Sequence, residues 1–267
     1  MHPHFHHPRK RFGQHFLSDQ AVLLQMERSI APRPQDHMVE IGPGLGVLTR
    51  YLIDKVAKYE AIEIDRDLAP ILQEAFAQHA NFVLHTQDVL KTDWAALHQH
   101  QKLRLVGNLP YNISTPLLFS LFEVNPFIQD MHFLLQKEVG ERLCAEVGST
   151  HYGRLSVMSQ YYGESELLFF VEPFCFTPPP KVDSVFLRLT PVVRTKIAKD
   201  LVLFEKIVGT AFNQRRKTLR NSLRALVDPA VFEELGIDAQ KRAQELTVDE
   251  YITITNYWVD NPGAPIV

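Results

Sequence analysis

Apolar positions along the chain follow two alternating periods. Short apolar runs typical of strands occur at residues 38–41, 60–64, 82–84, 103–106 and 131–135. Between them, apolar residues recur every three or four positions and predict helices at residues 47–55, 68–78, 94–99 and 117–123. Strands and helices in regular alternation are typical of an α/β fold with a parallel, doubly wound sheet, which we predict here.

The two ends of the chain depart from this alternation. Ser18 is predicted to cap a first helix, and runs at 166–171 and 185–189 predict a closing antiparallel hairpin at the sheet edge. Beyond Pro191 the chain is basic and helical. Helices are predicted there at residues 201–212, 216–226 and 248–258, the last opened by a capping box at Thr247.

This shift in composition predicts two domains. We place the boundary near residue 193, which gives a larger α/β domain at residues 1–193 and a small helical domain at residues 194–267. Residues 1–8 show no periodicity and are predicted to be disordered.

Composition excludes several classes of protein. The chain is 45% hydrophobic and 22% charged, as globular proteins are, and no apolar run is long enough to span a membrane. No apolar core follows the basic N-terminus, so no secretory signal is expected. Cys144 and Cys175 are far apart, which gives neither a disulfide framework nor metal-ligand spacing. These features predict a cytoplasmic protein without a metal site.

Positive charge is concentrated although the net charge is only −3. Residues 9–11 are Arg-Lys-Arg, and residues 194–224, the basic segment, hold nine Lys and Arg against two acidic residues. A basic face on an otherwise acidic protein is typical of phosphate binding, so Arg215, Arg216 and Lys217 are predicted to contact nucleic-acid phosphates. The alternative is that these residues only form solvated helix faces.

A glycine-rich stretch follows the first strand of the alternation, Gly42-Pro43-Gly44-Leu45-Gly46. Glycine lets the backbone turn tightly and approach a ligand closely. A dinucleotide-binding loop would require a third glycine at position 47, which is Val47. The spacing matches instead the loop that holds S-adenosylmethionine in methyltransferases of similar topology, and Gly42 and Gly44 are predicted to bind this cofactor.

Acidic residues follow the next two predicted strands. Glu63 lies 21 positions after Gly42 and can accept hydrogen bonds from both hydroxyls of a ribose. Asp65 is an alternative, but the apolar alternation ends at Glu63. Asp88 is placed to receive an adenine amine. The competing interpretation for each is an acidic residue favoured by a helix dipole.

The fourth strand of the alternation ends in Asn108-Leu109-Pro110-Tyr111. The Asn108 side-chain oxygen and the Leu109 carbonyl could each accept one N–H of an exocyclic amine, which would free the nitrogen lone pair for attack. Pro110 stiffens the turn, and Tyr111 offers a ring on which a base can stack. The alternative is an ordinary strand-to-helix turn.

Four stretches together resemble the ribosomal RNA adenine dimethyltransferase family, and in particular its bacterial small-subunit branch. They are Gly13-Gln14-His15-Phe16-Leu17, Glu40-Ile41-Gly42-Pro43-Gly44, residues 107–114 around Asn108, and residues 176–184. The resemblance implies a class I methyltransferase domain with a helical C-terminal domain. It also implies conversion of two adjacent adenosines in a hairpin loop near the 3′ end of the small-subunit RNA to N6,N6-dimethyladenosine.

The resemblance also assigns residues. It places cofactor contacts at His15, Leu17, Gly42, Glu63, Asp88 and Asn108, although the family usually has Asn at the position of His15. It makes Phe176 a second wall for the flipped base, beside the interpretation of Phe176 as a core aromatic. A monomer acting on RNA within a pre-ribosomal particle is expected.

The expected reaction is an in-line displacement, in which the adenine N6 attacks the methyl group of the cofactor. The protein would contribute positioning and a polar clamp. Three alternatives stay open on the sequence. They are a large-subunit RNA methyltransferase, a DNA adenine N6-methyltransferase and a non-catalytic assembly factor.

Overall fold

The computed structural model of the protein describes residues 15–98, 100–110 and 113–261. The predictions for residues 1–8, for the basic triplet at 9–11 and for Tyr111 lie outside these residues. The strands are β1 (Phe16–Leu17), β2 (His37–Ile41), β3 (Lys58–Glu63), β4 (Phe82–Thr86), β5 (Leu103–Asn108), β6 (Ile128–Gln136), β7 (Gly163–Val171), β8 (Phe176–Thr177) and β9 (Ser184–Pro191). The α-helices are α1 (Gln20–Ile30), α2 (Thr49–Leu52), α3 (Leu68–Ala75), α4 (Trp94–His98), α5 (Ser114–Glu123), α6 (Lys137–Leu143), α7 (Arg154–Tyr162), α8 (Leu201–Asn213), α9 (Leu219–Ser222), α10 (Pro229–Glu234) and α11 (Val248–Asp260).

The larger sheet has the strand order β4-β3-β2-β5-β6-β9-β7. Strands β2 to β6 pair in parallel, and β9 runs antiparallel to β6. The predicted α/β fold is therefore confirmed. The chain builds outward from β2 to β4 and then from β5 to β6, so the order reverses between β2 and β5. In open α/β sheets, ligands bind at such a switch point, beyond the carboxyl ends of the strands.

The core fills one face of this sheet with large apolar side chains. Tyr59, Phe186 and Met38 are completely buried on the strands. Helix residues of α1, α2 and α3 pack into the same cluster, among them Met26, Leu52 and Leu72. Each buried side chain of this size contributes roughly 1.5–3 kcal/mol.

Arg104 on β5 is a buried cation with carboxylate partners. Its guanidinium donates to Asp130 at 2.9 Å and to Asp36 at 2.6 Å, and it also donates to the carbonyls of Ile30 and Ala31. Burial alone would lower the pKa of Arg104, but these carboxylates outweigh it and raise that pKa. The contacts fix the C-terminal end of α1 on the sheet, and α1 in turn follows directly on β1.

Two compact units make up the chain. One comprises Met1–Gly140 and Ser165–Pro191, and the other comprises Glu141–Glu164 and Val192–Val267. The division after Pro191 lies two residues from the predicted boundary at 193. The predicted domain 1–193 nevertheless wrongly includes residues 141–164. This stretch packs on the helical unit, for example through the bond from the Arg194 guanidinium to the Gln160 carbonyl and the contact of the Tyr161 and Phe204 rings.

Two further details differ from the sequence prediction. The cap of α1 is Asp19, whose carboxylate accepts from the Val22 N–H, and Ser18 instead donates to the Cys175 carbonyl. The helix predicted at 216–226 is reduced to α9, because Thr218 forms a β-bridge to Arg242 and is thereby held extended. Within the described residues, no helix is long and apolar enough to cross a membrane.

Candidate active site

A cavity of about 360 Å³ lies at the switch point of the sheet. Its walls come from the residues that end or follow β2, β3, β4 and β5, together with β1 and the residue before it. The predicted site residues that line it are His15, Leu17, Gly42, Gly44, Glu63, Asp88, Asn108, Leu109 and Pro110. The volume is in the range of small-molecule sites, about 300–1,000 Å³.

The glycine-rich loop forms the floor at the end of β2. Gly42, Gly44 and Gly46 have φ values of +68°, +60° and +70°, which is the left-handed region that other residues avoid. A side chain at Gly46 would clash with the Phe76 ring at 2.6 Å. Glycine at 107 is equally necessary, since a Cβ there would lie 2.5 Å from the Ile41 carbonyl oxygen. The absence of these side chains lets β5 bring Asn108 close to the loop.

Glu63 ends β3 with its carboxylate held by the backbone. The N–H of Gly44 donates to one oxygen at 3.2 Å, and the N–H of Asp65 donates to the other at 2.9 Å. Burial raises the pKa of Glu63, and these two bonds partly offset that effect. Each carboxylate oxygen retains acceptor capacity for a further donor, such as a ribose hydroxyl.

Asp88 follows β4 and caps a short 3₁₀ turn. One of its carboxylate oxygens accepts from the Leu90 N–H at 3.0 Å. The competing interpretation of Asp88 as a helix-terminal acid is therefore correct for this oxygen. The residue also lines the cavity, so the two interpretations are compatible.

Two apolar residues of the cavity were not predicted from the sequence. Ile64 and Leu90 line it and expose 48% and 42% of their surface. Exposed aliphatic side chains beside Glu63 and Asp88 form flat walls suited to an aromatic ring. The available signal was an apolar residue close after each acid, one position after Glu63 and two positions after Asp88.

Glu40 lies in the glycine-rich motif but had no predicted role. It is 2% exposed, and one carboxylate oxygen accepts from the Thr49 hydroxyl at 2.5 Å and from the Tyr59 hydroxyl at 2.7 Å. Burial raises the pKa of Glu40 to about 7, although the two hydrogen bonds lower it. Glu40 thus joins β2 to α2 and β3 beside the loop.

Asn108 ends β5 with the nitrogen of its amide held by a hydrogen bond. Its Nδ2 donates to the His15 main-chain carbonyl at 2.9 Å. The turn that follows is also fixed, because the Leu109 N–H donates to the Leu134 carbonyl at 3.1 Å and the Pro110 carbonyl accepts from Ile113. No described N–H donates to the Leu109 carbonyl. This oxygen and Asn108 Oδ1 are the acceptors that the predicted clamp requires.

The β1 segment (residues 15–18) lines the cavity because it pairs with β8. Phe16 lies opposite Thr177, and Leu17 lies opposite Phe176, in antiparallel register. The Phe16 ring lies against the loop, since a Cβ at Gly44 would come within 3.0 Å of it. This two-stranded pairing was not predicted, because two residues are too few to show a period.

Phe176 is buried in the structure. It is 3% exposed, belongs to the hydrophobic core and does not line the cavity. Its strand partner Leu17 does line the cavity. The burial of Phe176 agrees with the alternative interpretation as a core aromatic, and its role as a wall for a base stays a prediction. Phe174, two residues earlier, is 73% exposed.

The basic segment is less uniform than its charge suggested. Arg194, Lys196 and Lys199 bond to acidic residues, a carbonyl and a hydroxyl of α11. Arg215 donates to the carbonyls of Thr150 and Tyr152, the latter at 3.0 Å. Its guanidinium therefore contributes to the fold of this unit, and its contact with phosphate stays a prediction.

Arg216 and Lys217 differ from these neighbours. Both are exposed, and neither side chain forms a hydrogen bond or ion pair with another described residue. Their charge is available to a polyanion. For these two residues, contact with nucleic-acid phosphates stays a prediction.

Known proteins match the chain over almost all of its length. A family model described as ribosomal RNA adenine dimethylase matches residues 5–260. The ribosomal RNA small subunit methyltransferase A of Pseudomonas fluorescens is 50% identical over 259 residues, which is 96% of each chain. A dimethyladenosine transferase structure from Plasmodium falciparum is similar with a TM-score of 0.82 at 24% identity, over 92% of this chain and 98% of that one.

The 23S rRNA methyltransferase ErmE is similar with a TM-score of 0.70 at 25% identity, over 90% of this chain and 98% of that one. The resemblance seen in the motifs is confirmed by these matches. The chain belongs to the ribosomal RNA adenine dimethylase family.

Proposed function

We propose that this protein transfers methyl groups from S-adenosylmethionine to N6 of two adjacent adenosines near the 3′ end of small-subunit ribosomal RNA. The products are N6,N6-dimethyladenosines. The observation that carries the proposal is the convergence of the glycine loop, Glu63, Asp88 and Asn108 on one cavity at the switch point. The enzyme acts as a monomer, in the cytoplasm, on RNA within a pre-ribosomal particle.

The methyltransferase fold and family imply a methyl donor of the S-adenosylmethionine type. The residues present fit this group. Gly42 and Gly44 leave the loop backbone open to it, Glu63 accepts from the ribose hydroxyls, and Ile64 and Leu90 enclose the adenine. When bound, the cofactor would supply a methyl group on a positively charged sulfur. This sulfur leaves readily as a neutral thioether.

Asn108 and Leu109 hold the target amine. The Asn108 Oδ1 accepts one N–H of the adenine N6, and the Leu109 carbonyl accepts the other. Two acceptors placed on one side pull the nitrogen toward a tetrahedral geometry, so that its lone pair faces the methyl group. In each transfer the new N–C bond would replace the S–C bond, the donor would leave as a neutral thioether, and the methylated nitrogen would lose one proton to solvent. After the first transfer the amine therefore has one N–H left, and a single acceptor holds it for the second transfer.

Arg216 and Lys217 contribute phosphate contacts that position the RNA without reading its sequence. We propose small-subunit RNA and not large-subunit RNA as the substrate because of the sequence identity to known relatives. The identity is 50% to the small-subunit methyltransferase and 25% to the 23S enzyme. No observation favours the DNA or non-catalytic alternative.

The decisive experiment uses small-subunit particles from cells that lack this methylation. Particles are incubated with the protein and labelled cofactor, and the RNA is digested to nucleosides for mass spectrometry. We expect labelled N6,N6-dimethyladenosine, with two modified residues per particle. Asn108→Ala protein is the matched control. Label in large-subunit RNA only, or in no nucleoside, would contradict the proposal.

A further inference from the structure

The amide of Asn108 has an orientation that its neighbour dictates. The atom facing it across 2.9 Å is the main-chain carbonyl oxygen of His15. A carbonyl oxygen only accepts hydrogen bonds, so the amide must present its NH₂ group to it. Oδ1 is then on the other branch of the planar amide, away from the β1 segment. A reversed amide would place two oxygens against each other.

The His15 carbonyl is itself held in place by the imidazole of the same residue. His15 Nδ1 lies 2.8 Å from the Pro178 carbonyl oxygen. Because that oxygen also only accepts, Nδ1 must carry the proton, which is true of one neutral tautomer and of the imidazolium. The Ser18 N–H adds a bond to the Cys175 carbonyl at 2.8 Å. The β1 segment is thus attached on both sides of Phe16.

We infer that His15 is a positioning residue for methyl transfer. Its carbonyl sets the Asn108 amide with Oδ1 available to the target amine, and its imidazole fixes that carbonyl through Pro178. The inference rests on the proposed function of Asn108. It also explains the choice of Asn over Asp at 108, since a carboxylate could accept from the amine but would oppose the His15 oxygen.

The first test compares two substitutions of His15. Asn places Nδ2 the same number of bonds from Cα as His Nδ1, so His15→Asn keeps the donor, whereas His15→Ala removes it. We expect the kcat of the Ala variant to fall by about 10- to 100-fold at saturating cofactor, because small misplacements of reacting groups cost that much. The KM for the particle should not change, and the Asn variant should recover most of kcat.

A purely cofactor-binding role for His15 predicts a different pattern. The Ala variant would then raise the KM for the cofactor and keep a normal kcat at saturation, and this result would overturn the inference.

Asn108→Asp gives a second criterion. It should be as inactive as Asn108→Ala, so an Asp variant with more than about a tenth of wild-type activity would also overturn it.

A measurement without activity separates this inference from the proposed function. In the cofactor-free protein, nuclear magnetic resonance can follow the side-chain NH₂ of Asn108, assigned by its loss in Asn108→Ala. We expect slowed hydrogen exchange of this group in wild type and in His15→Asn, and faster exchange in His15→Ala. Equal exchange in all three would refute the positioning role, whatever reaction the protein catalyses.

Discussion

The cavity at the switch point and the basic segment hold their polar residues by different means. In the cavity, Glu63 and Asn108 stand at strand ends, and backbone groups fix both side chains. In the basic segment, the cations are on helices and connections, and the partner of each one decides its role. Arg215 is bound to carbonyls, whereas the adjacent Arg216 has no partner among the described residues.

This difference shows where position alone implies function. Parallel strands end at one edge of a sheet, so residues at those ends meet irrespective of the side chains in between. Neighbouring side chains on a basic stretch of chain point in different directions, and the residues that they contact lie elsewhere in the sequence. Equal charges there do not imply equal roles.

The largest expected effect concerns the cavity. Asn108→Ala removes the predicted acceptor and the bond to the His15 carbonyl, and we expect methylation to fall below about a tenth of the wild-type rate. Cofactor binding should weaken only in part, since the glycine loop and Glu63 are unchanged. Initial rates on particles and calorimetric cofactor titration check both statements. A rate above that level would remove Asn108 from the mechanism.

Most of the α/β domain could be predicted from the sequence, for a physical reason. Burial of the strands leaves apolar runs, and a glycine or a polar residue stands at or just after the end of each run where a ligand is expected. Gly42, Glu63, Asp88 and Asn108 therefore line one cavity as predicted. Their contacts with cofactor and base stay predictions.

Other features left no local signal. The pairing of β1 with β8 joins residues about 160 positions apart and is only two residues long. Phe176 was assigned to the base by resemblance, but its burial depends on that pairing. Residues 141–164 were placed in the wrong domain because their partners lie beyond residue 192.

Glu40 offers a second test on the cavity side of the comparison. Burial raises its folded-state pKa to about 7 from the ordinary value of 4.5. The folded protein therefore binds this proton more tightly than the unfolded chain. The resulting stabilisation is complete below about pH 4.5 and is lost as the pH rises through about 7. At about 1.4 kcal/mol per pKa unit, the loss is about 3 kcal/mol.

Glu40→Gln keeps an oxygen acceptor for Thr49 and Tyr59 but cannot ionise. Between about pH 4.5 and pH 8, its free energy of unfolding should gain about 3 kcal/mol relative to wild type, as measured by denaturant titration. Glu74→Gln, on the exposed surface of α3, is the matched control and should follow wild type. A constant difference between wild type and Glu40→Gln would show that Glu40 does not titrate in this range.

The basic segment is tested by reversing its unpartnered charges. The double variant Arg216→Glu and Lys217→Glu should weaken RNA binding about tenfold or more and reduce the salt dependence of log K by about 1 per cation. Cofactor affinity and thermal stability should stay unchanged. Arg33→Glu with Lys102→Glu makes the same charge change at exposed sites of the other unit. If both double variants bind RNA with equal affinity, the loss of affinity comes only from the change in net charge, and the predicted phosphate contacts of Arg216 and Lys217 are wrong.

The smallest expected effect separates Arg215 from its neighbours. Arg215→Gln loses the bonds to the carbonyls of Thr150 and Tyr152, which should cost about 1 kcal/mol of unfolding free energy because the groups are partly exposed. RNA affinity should change less than about twofold, since this guanidinium is already engaged within its own unit. Arg216→Gln is the matched control, with the opposite pattern of unchanged stability and weakened RNA binding. If Arg215→Gln weakened RNA binding as much as Arg216→Gln at equal stability, the two arginines would share one role, and the distinction between engaged and available cations in this segment would fail.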